Sequence, residues 1–139
     1  DGRMIPRLVL FVVLVLLPFP AEADLALNAY REAEGRAPLQ RMGTLDAAAA
    51  THAADLAATG RLSHEGRDGS DVMERVRRAG LTPCFVAENI ALGQAGDAAT
   101  LSAWAASPGH RRNMLDRRAT LYGFASDGTI RVLVLASPC

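Results

Sequence analysis

Glu88 is the residue whose position in this sequence points most directly to chemistry. It stands within the apolar run 84–92, CFVAENIAL, which has the length and composition of a strand covered on both faces. A carboxylate there is expensive unless it is hydrogen-bonded, paired with a cation or bound to a metal ion. Two interpretations remain open: Glu88 belongs to a functional cluster, or it is a structural acid that holds backbone amides or an arginine.

Two histidines beside turn residues are the next candidates. His64 precedes the turn dipeptide Asp68-Gly69, and His110 follows a Pro-Gly pair, and loops of this kind often carry ligand-binding groups. Two imidazoles and a carboxylate could bind a divalent metal such as zinc and leave a position open for water or a ligand. The alternative is that both are ordinary surface or capping histidines. His52 is interpreted as structural, because no second ligand type stands near it at helical spacing.

Several catalytic motifs are missing from the sequence. His64-Glu65 begins like the zinc-protease helix motif H-E-x-x-H, but the fifth residue is Asp68. There is no G-x-S-x-G elbow, no phosphate-binding glycine loop and no dinucleotide fingerprint. A nucleophilic Cys84 is conceivable, but a disulfide would block it. No catalytic residue is therefore assigned, and a non-enzymatic role is favoured.

The beginning of the chain is typical of an export signal. The apolar run 8–17 is shorter than the roughly 20 residues of a membrane-spanning helix. Arginines precede this run, prolines end it, and residues 21–23 form an A-x-A cleavage pattern. We expect residues 1–23 to be a signal peptide, with extra residues before Met4, and residues 24–139 to be the exported domain. The alternative is a retained N-terminal anchor.

Composition limits the possible classes of protein. The 139 residues include 15 basic residues, all of them arginine, and 15 acidic residues, so the formal net charge is zero and gives no field that favours nucleic acid. The length fits a single domain, and a hydrophobic content of 50% argues against disorder. In an oxidising compartment Cys84 and Cys139 are expected to form a disulfide that ties the C-terminus to the middle of the domain.

Hydrophobic periodicity and capping residues predict helices around a small sheet. Helices are expected at 24–34, at 44–59 with Thr44 as N-cap, and at 71–79 with Ser70 as N-cap. Asp97 is expected to cap a fourth helix, and a further helical turn is expected from Ser107-Pro108. Strands are expected at 84–92, 121–126 and 130–136, the last two joined by the turn Asp127-Gly128.

Taken together, these segments resemble the CAP superfamily of cysteine-rich secretory, antigen 5 and pathogenesis-related proteins, also called SCP-like domains. The resemblance is to the short exported bacterial members, and it runs from about Leu27 to Phe124. No single stretch is specific, but their order and spacing are. The matching stretches are 28–31 (NAYR), 38–39 (PL), 63–64 (SH), 68–69 (DG), Arg75, 79–80 (AG), 87–91 (AENIA), Trp104, 107–110 (SPGH), Asn113 and Leu115.

The resemblance implies an α+β fold, an α-β-α sandwich with a small central antiparallel sheet flanked by about four helices. In the family a cleft across the sheet is lined by two histidines and two acids, and some members bind zinc or another divalent ion there. His64 matches the first histidine, Glu88 the strand glutamate and His110 the second histidine, and these three form the implied metal site. Asp68 is the first choice for the second acid of the cleft, and Glu74 is the second choice.

The resemblance implies no single activity, since family members are linked to sterol or lipid binding, cell-wall association and signalling. We expect a monomeric, non-enzymatic binding module, secreted or periplasmic, with no stable membrane span after cleavage. Its ligand would be a lipid, a cell-wall component or a protein. The alternative is a metal-dependent hydrolase in which His64 and His110 hold a metal-bound water and Glu88 or Asp68 is the general base. A third possibility is a purely structural polar cluster.

The chain departs from the family pattern at its end. Many members finish with a strand that carries an aromatic residue and a glutamine near the cleft. The strand expected at 130–136 here, IRVLVLA, has neither. The wall of the cleft formed by this strand therefore lacks two side chains that many family members have there.

Overall fold

The computed structural model describes residues 22–139, with side chains described from Ala26 onward. The expected signal peptide, residues 1–23, lies almost entirely outside this described part and stays a prediction. Within residues 22–139 no helix is long and apolar enough to cross a membrane. The elements are α1 Glu22–Ala33, β1 Gln40–Arg41, α2 Gly43–Thr59, α3 Val72–Ala79, β2 Pro83–Leu92, α4 Asp97–Ala105, α5 Pro108–Met114, β3 Leu121–Asp127 and β4 Ile130–Pro138.

The sheet has four strands in the order β1-β3-β4-β2. β4 pairs antiparallel with both β2 and β3, and the hairpin between β3 and β4 turns at Gly128-Thr129, one residue later than the expected Asp127-Gly128. β1 is the exception, because its two residues pair parallel to β3, with Gln40 opposite Leu121. The sheet is therefore mixed, whereas a wholly antiparallel sheet was expected.

Alternating residues of β4 serve two separate cores. Val132, Val134 and Ala136 pack in the cluster formed with α2 and α3. Leu133 and Leu135 pack on the opposite face, in the cluster formed with α1, α4 and α5. Successive side chains of a strand point to opposite faces, so a strand covered on both sides is apolar throughout. The expected α-β-α sandwich is confirmed, with five helices where about four were expected.

The helix starts differ in detail from those expected. α3 is capped by Asp71, whose side chain accepts from the Glu74 backbone N–H while the Glu74 carboxylate accepts from the Asp71 N–H, a capping box that replaces the expected Ser70 cap. α2 begins after Met42 without a side-chain cap, so Thr44 does not cap it. α1 begins at Glu22, before the expected Asp24, and α5 is a full helix rather than one turn.

The disulfide between Cys84 and Cys139 is present, with an S–S distance of 2.05 Å. It joins the start of β2 to the residue that follows β4, where the Cys139 N–H also donates to the Thr82 carbonyl at 3.1 Å. Neighbouring strands bring the two cysteines together, and the Cα–Cα distance of 4.7 Å lies in the usual range for a bridge. The predicted pairing is confirmed.

Gly123 allows α2 to lie directly on β3. A Cβ added to Gly123 would overlap the backbone of Leu45 and Asp46 in the first turn of α2. Gly123→Ala is therefore expected to lower the free energy of unfolding by about 3 kcal/mol, at the upper end of overpacking effects, because backbone cannot move aside as a side chain can. Urea denaturation of both proteins measures the difference.

A matched control is available for this substitution. Gly109 lies in α5, and a Cβ there would meet nothing within 4 Å. Gly109→Ala should leave the midpoint of unfolding unchanged or slightly raised. Equal midpoints for the Gly123 and Gly109 variants would show that the close approach of α2 to β3 is not tight.

Candidate functional site

Glu88 is the centre of a buried polar cluster on β2. Its side chain is 2% exposed, and each of its carboxylate oxygens has a strong partner. Oε1 accepts a hydrogen bond from His64 Nδ1 at 2.8 Å, and Oε2 accepts one from Arg75 Nη2 at 2.8 Å. Both partners come from outside the sheet, His64 from the loop after α2 and Arg75 from α3. The expected cost of a carboxylate in this strand is thus offset by an ion pair and two hydrogen bonds.

Arg75 fixes the loop that carries His64. Its side chain is only 2% exposed. Besides its bond to Glu88, Nη1 donates to the Ser70 carbonyl at 2.7 Å and Nη2 donates to the His64 carbonyl at 3.0 Å. One buried guanidinium therefore holds two points of the loop against the sheet. The position of the His64 backbone is set by this contact.

His52 is a member of the cluster that sequence reasoning treated only as a structural residue near the wet face of its helix. The structure buries it completely, in α2. Its Nε2 lies 2.7 Å from the Ser63 carbonyl and 3.7 Å from Glu88 Oε1. Because a carbonyl only accepts, Nε2 carries a hydrogen, and Nδ1 has no hydrogen-bond partner within the described residues. His52 thus supports the residue preceding His64 and lies behind Glu88.

His64 presents one face of its ring to solvent. Its side chain is 62% exposed although Nδ1 is bonded to Glu88. The hydrogen bond to Glu88 raises the pKa of His64 above 6.5, against a smaller opposing effect of burial, and the charge of Glu88 adds to the rise while Arg75 opposes it. Nε2 is left for a ligand. The ring is therefore oriented by a buried acid and open to the outside, as in many ligand-binding histidines.

His110 lies in α5, which packs against β2. Its Nδ1 is 3.0 Å from Ser107 Oγ, and its ring centroid is 6.4 Å from that of Trp104. Burial lowers the pKa of His110, and the nearby charge of His64 lowers it further. The two imidazoles are therefore close enough to interact electrostatically. His110 therefore loses its proton at a lower pH than an ordinary histidine, whereas His64 keeps its proton to a higher pH.

Two asparagines attach α5 to β2. The buried Asn89 donates from Nδ2 to the His110 carbonyl at 3.1 Å. Asn113 Nδ2 donates to Asn89 Oδ1 at 2.9 Å and to the Glu88 carbonyl at 3.3 Å. These amides hold backbone, in agreement with the sequence interpretation. They set the distance between the helix that carries His110 and the strand that carries Glu88.

The structure does not bring Asp68 or Glu74 to the cluster. Asp68 Oδ1 accepts from the Ser70 N–H at 3.0 Å, and its other oxygen pairs with Arg78 at the surface. Hydrogen bonds from Ser70 and Arg78 lower the pKa of Asp68 far below its usual range. The Glu74 carboxylate is part of the capping box of α3. No second acid contacts His64, Glu88 or His110 among residues 26–139.

A surface cleft of about 470 Å³ lies against the loop that carries His64. None of His64, Glu88 and His110 lines it, so this cleft adjoins the loop without including the polar cluster. Its lining is polar and mixed in charge, with residues on both sides of His64 in the chain. They include Asp55, Thr59, Arg61, Ser63, Glu65 and Arg67.

The fit of a divalent metal can be judged from these contacts. Both Glu88 oxygens are bound by Arg75 and His64, so Glu88 is placed to orient His64 rather than to ligate an ion directly. His64 and His110 each keep Nε2 without a protein partner within the described chain. Between Ala26 and Cys139 there is no group of three or more His, Cys, Asp or Glu side chains that could hold a metal ion. The donor set is thus two imidazole nitrogens, fewer than the three protein ligands usual for catalytic zinc.

The opposite pKa shifts of the two histidines give a direct prediction. In an NMR titration the midpoint of His64 should lie above 6.5 and that of His110 below it. Because the folded-state pKa of His64 is raised, the stability contributed by its pair with Glu88 is fully present below pH 6.5. It is lost as the pH rises through the raised pKa.

Glu88→Gln is the control for this titration. The substitution removes the charge that favours protonated His64, so the His64 midpoint should fall toward 6.5. A His64 midpoint at or below 6.5 in the unmodified protein, or one that Glu88→Gln leaves in place, would contradict the arrangement described here.

The fold and the buried glutamate with its two flanking histidines define an α-β-α sandwich with a polar site on one edge strand. Comparison with known proteins identifies the family to which the chain belongs. The family model for the CAP, or cysteine-rich secretory protein, family matches residues 25–129. The chain belongs to this family, and the expected membership is confirmed. Over 105 residues it is 30% identical to the uncharacterized protein YkwD of Bacillus subtilis (strain 168). The aligned region covers 74% of this chain and 41% of YkwD.

Solved structures share the fold at low sequence identity. An extracellular protein containing a SCP domain from Bacillus anthracis str. Ames matches with a TM-score of 0.80 and 22% identity, over 83% of this chain and 39% of that one. An outer surface protein from Borrelia burgdorferi matches with a TM-score of 0.75 and 18% identity, over 87% and 97%. A cysteine-rich secretory protein from Staphylococcus aureus subsp. aureus Mu50 matches with a TM-score of 0.66 and 20% identity, over 84% and 40%. The chain thus spans about two fifths of the two Bacillus proteins.

Proposed function

We propose that this chain is a non-enzymatic CAP domain that acts outside the cytoplasm and binds a ligand or partner at His64 and His110. The observation that carries the proposal is the state of Glu88. Its oxygens are bound by His64 and Arg75 and its side chain is only 2% exposed, so it orients a neighbouring ring and is buried away from a substrate. His64 is held from behind and exposes the rest of its ring, which suits binding.

An extracytoplasmic location is supported by three observations. The expected signal peptide would export the chain. The disulfide Cys84–Cys139 suits an oxidising compartment. Two of the similar structures are those of an extracellular protein and an outer surface protein. A secreted or periplasmic location follows as part of the proposal, with a lipid, a cell-wall component or another protein as ligand.

A divalent ion is proposed as one occupant of the site. It would be bound by Nε2 of His64 and of His110, with Glu88 orienting His64. When bound, such an ion could polarise a ligand oxygen. We expect calorimetric titration with zinc to give micromolar or tighter binding that is lost in His64→Ala and in His110→Ala. Asp68→Ala is the matched control and should bind zinc as the unmodified protein does, since Asp68 pairs with Arg78 instead.

The same preparations separate binding from hydrolysis. Zinc-loaded protein is incubated with panels of peptide, ester and glycan substrates, and no turnover is expected. Turnover that disappears in the His64→Ala, His110→Ala double variant would overturn the non-enzymatic proposal in favour of the metal-dependent hydrolase. Zinc binding that is equal in the double variant and the unmodified protein would remove the metal from the site and leave only a metal-free ligand.

A further inference from the structure

A second cleft lies away from the histidines, where α1 ends beside the segment that leads into β3. Its volume is about 230 Å³, and its lining includes three arginines, Arg31, Arg36 and Arg117, but no acidic residue. The remaining lining residues are small or uncharged: Gly35, Ala37, Pro38, Ala119 and Thr120. Three guanidinium groups around a small opening form a concentration of positive charge in a chain whose formal net charge is zero.

The acids nearest to this cleft are already paired with other arginines. Asp116 is bound by Arg118, at 2.8 Å. Glu34 is bound by Arg111, at 2.7 Å. Neither acid forms an ion pair with Arg36 or Arg117, so within the described chain these two arginines of the cleft have no acidic partner.

Two of the three arginines are fixed by backbone. Arg31 is 2% exposed; its Nε donates to the Ala37 carbonyl at 2.9 Å and its Nη1 to the Met114 carbonyl at 2.6 Å. Arg36 donates from Nε to the Leu115 carbonyl at 2.9 Å. In both side chains Nη2 has no hydrogen-bond partner within residues 26–139. These groups are therefore pre-positioned, and each keeps N–H donors for a ligand.

Arg117 is the third arginine that lines the cleft. It is exposed and makes no hydrogen bond or ion pair within the described residues, so its guanidinium is available. Burial lowers the pKa of Arg31 most, and the charge of Arg36 lowers it further. The charge of Asp116 opposes both effects. Like charges are thus held together at a cost that a bound anion would relieve.

We propose that Arg31, Arg36 and Arg117 form a binding site for the phosphate group of a ligand, separate from the site at His64 and His110. Planar guanidinium groups match the oxygens of phosphate and bind them with paired, charge-assisted hydrogen bonds. The phosphate belongs either to a lipid headgroup or to a soluble phosphorylated molecule. The proposal does not depend on the function assigned to the histidines, because the two sites share no residue.

Titration with inorganic phosphate at constant ionic strength tests the site. The arginine Nε signals of Arg31, Arg36 and Arg117 in ¹H–¹⁵N spectra of the full-length protein should shift as phosphate replaces chloride. Arg117→Gln should weaken phosphate binding about tenfold, the loss of a hydrogen bond to a charged group. This variant keeps the fold testable, because Arg117 makes no hydrogen bond in the described structure. Arg112→Gln, which removes an exposed arginine outside the cleft, should bind as the unmodified protein does.

A second arm distinguishes the two sources of phosphate. Vesicles of phosphatidylcholine with and without phosphatidic acid are compared with a soluble sugar phosphate. Binding to phosphatidic acid vesicles that Arg117→Gln abolishes assigns a lipid headgroup, and sugar phosphate binding with the same sensitivity assigns a soluble ligand. The proposal is overturned if phosphate shifts none of the three arginine signals, or if Arg117→Gln binds every phosphate probe as tightly as the unmodified protein.

Discussion

Glu88→Ala is expected to lower the free energy of unfolding by about 3–5 kcal/mol, the usual cost of removing one partner from a buried ion pair. Arg75 is 2% exposed, and Glu88 is the acid that faces its charge. Without the carboxylate, the guanidinium remains buried with only the Ser70 and His64 carbonyls as partners. Because total stabilities lie at about 5–15 kcal/mol, the variant should show a much lower urea midpoint.

Two comparisons identify the cause of this loss. Replacing Glu88 and Arg75 together with methionine should recover part of it, because no unpaired charge then stays in the interior. Arg78→Gln breaks only the exposed pair with Asp68 and should change the midpoint little, since solvent screens that pair. If Glu88→Ala and Arg78→Gln shifted the midpoint equally, Glu88 would not be the buried centre of the cluster.

Loss of the disulfide is expected to destabilise the protein by about 4 kcal/mol in the chain-entropy model, given a sequence separation of 55 between Cys84 and Cys139. Both cysteines are exposed, so replacing them with serine buries no hydroxyl group. The Cys84→Ser, Cys139→Ser double variant should therefore report the cross-link itself. Thermal and urea unfolding of the oxidised protein and the double variant measure the difference.

Reduction of the unmodified protein is the matched control for that experiment. Treatment with a thiol reductant should lower the unfolding midpoint to that of the serine variant, and reductant should leave the variant itself unchanged. Two free thiols in the untreated protein under denaturing, non-reducing conditions would contradict the bridge. Equal stability before and after reduction would show that the cross-link does not restrict the conformations of the unfolded chain enough to stabilise the fold.

The sequence was informative wherever a residue conflicted with its local pattern. A carboxylate in an apolar strand indicated that Glu88 needed a partner. The residues of β4 are apolar on both faces because helices cover both sides of the sheet. The identity of the partner could not be predicted, since Arg75 reaches Glu88 only through the packing of α3. His52 was interpreted as structural but not as a neighbour of Glu88. Alanines surround it on α2, so its buried face could not be recognised.

Other features were too short or too local to predict. β1 has two residues, and its pairing with β3 depends on the tertiary position of the connector that contains it. Asp68 was the first choice for the second acid of the cleft, and it lies near His64 in the chain. The turn directs its carboxylate toward the Ser70 N–H and Arg78 instead. Proximity in sequence therefore did not predict membership of the cluster.

The outer edge of β2 has a consequence for how copies of the protein behave together. β2 is a long apolar strand at the end of the sheet, and such an edge can add a strand from another molecule. Here the Glu88 carbonyl accepts from Asn113 and the Ile90 carbonyl accepts from Trp104 Nε1, at 3.2 Å. Two acceptors that an incoming chain would need are already bonded to side chains of α4 and α5. The side chains of Asn113 and Trp104 therefore also hinder edge-to-edge aggregation through β2.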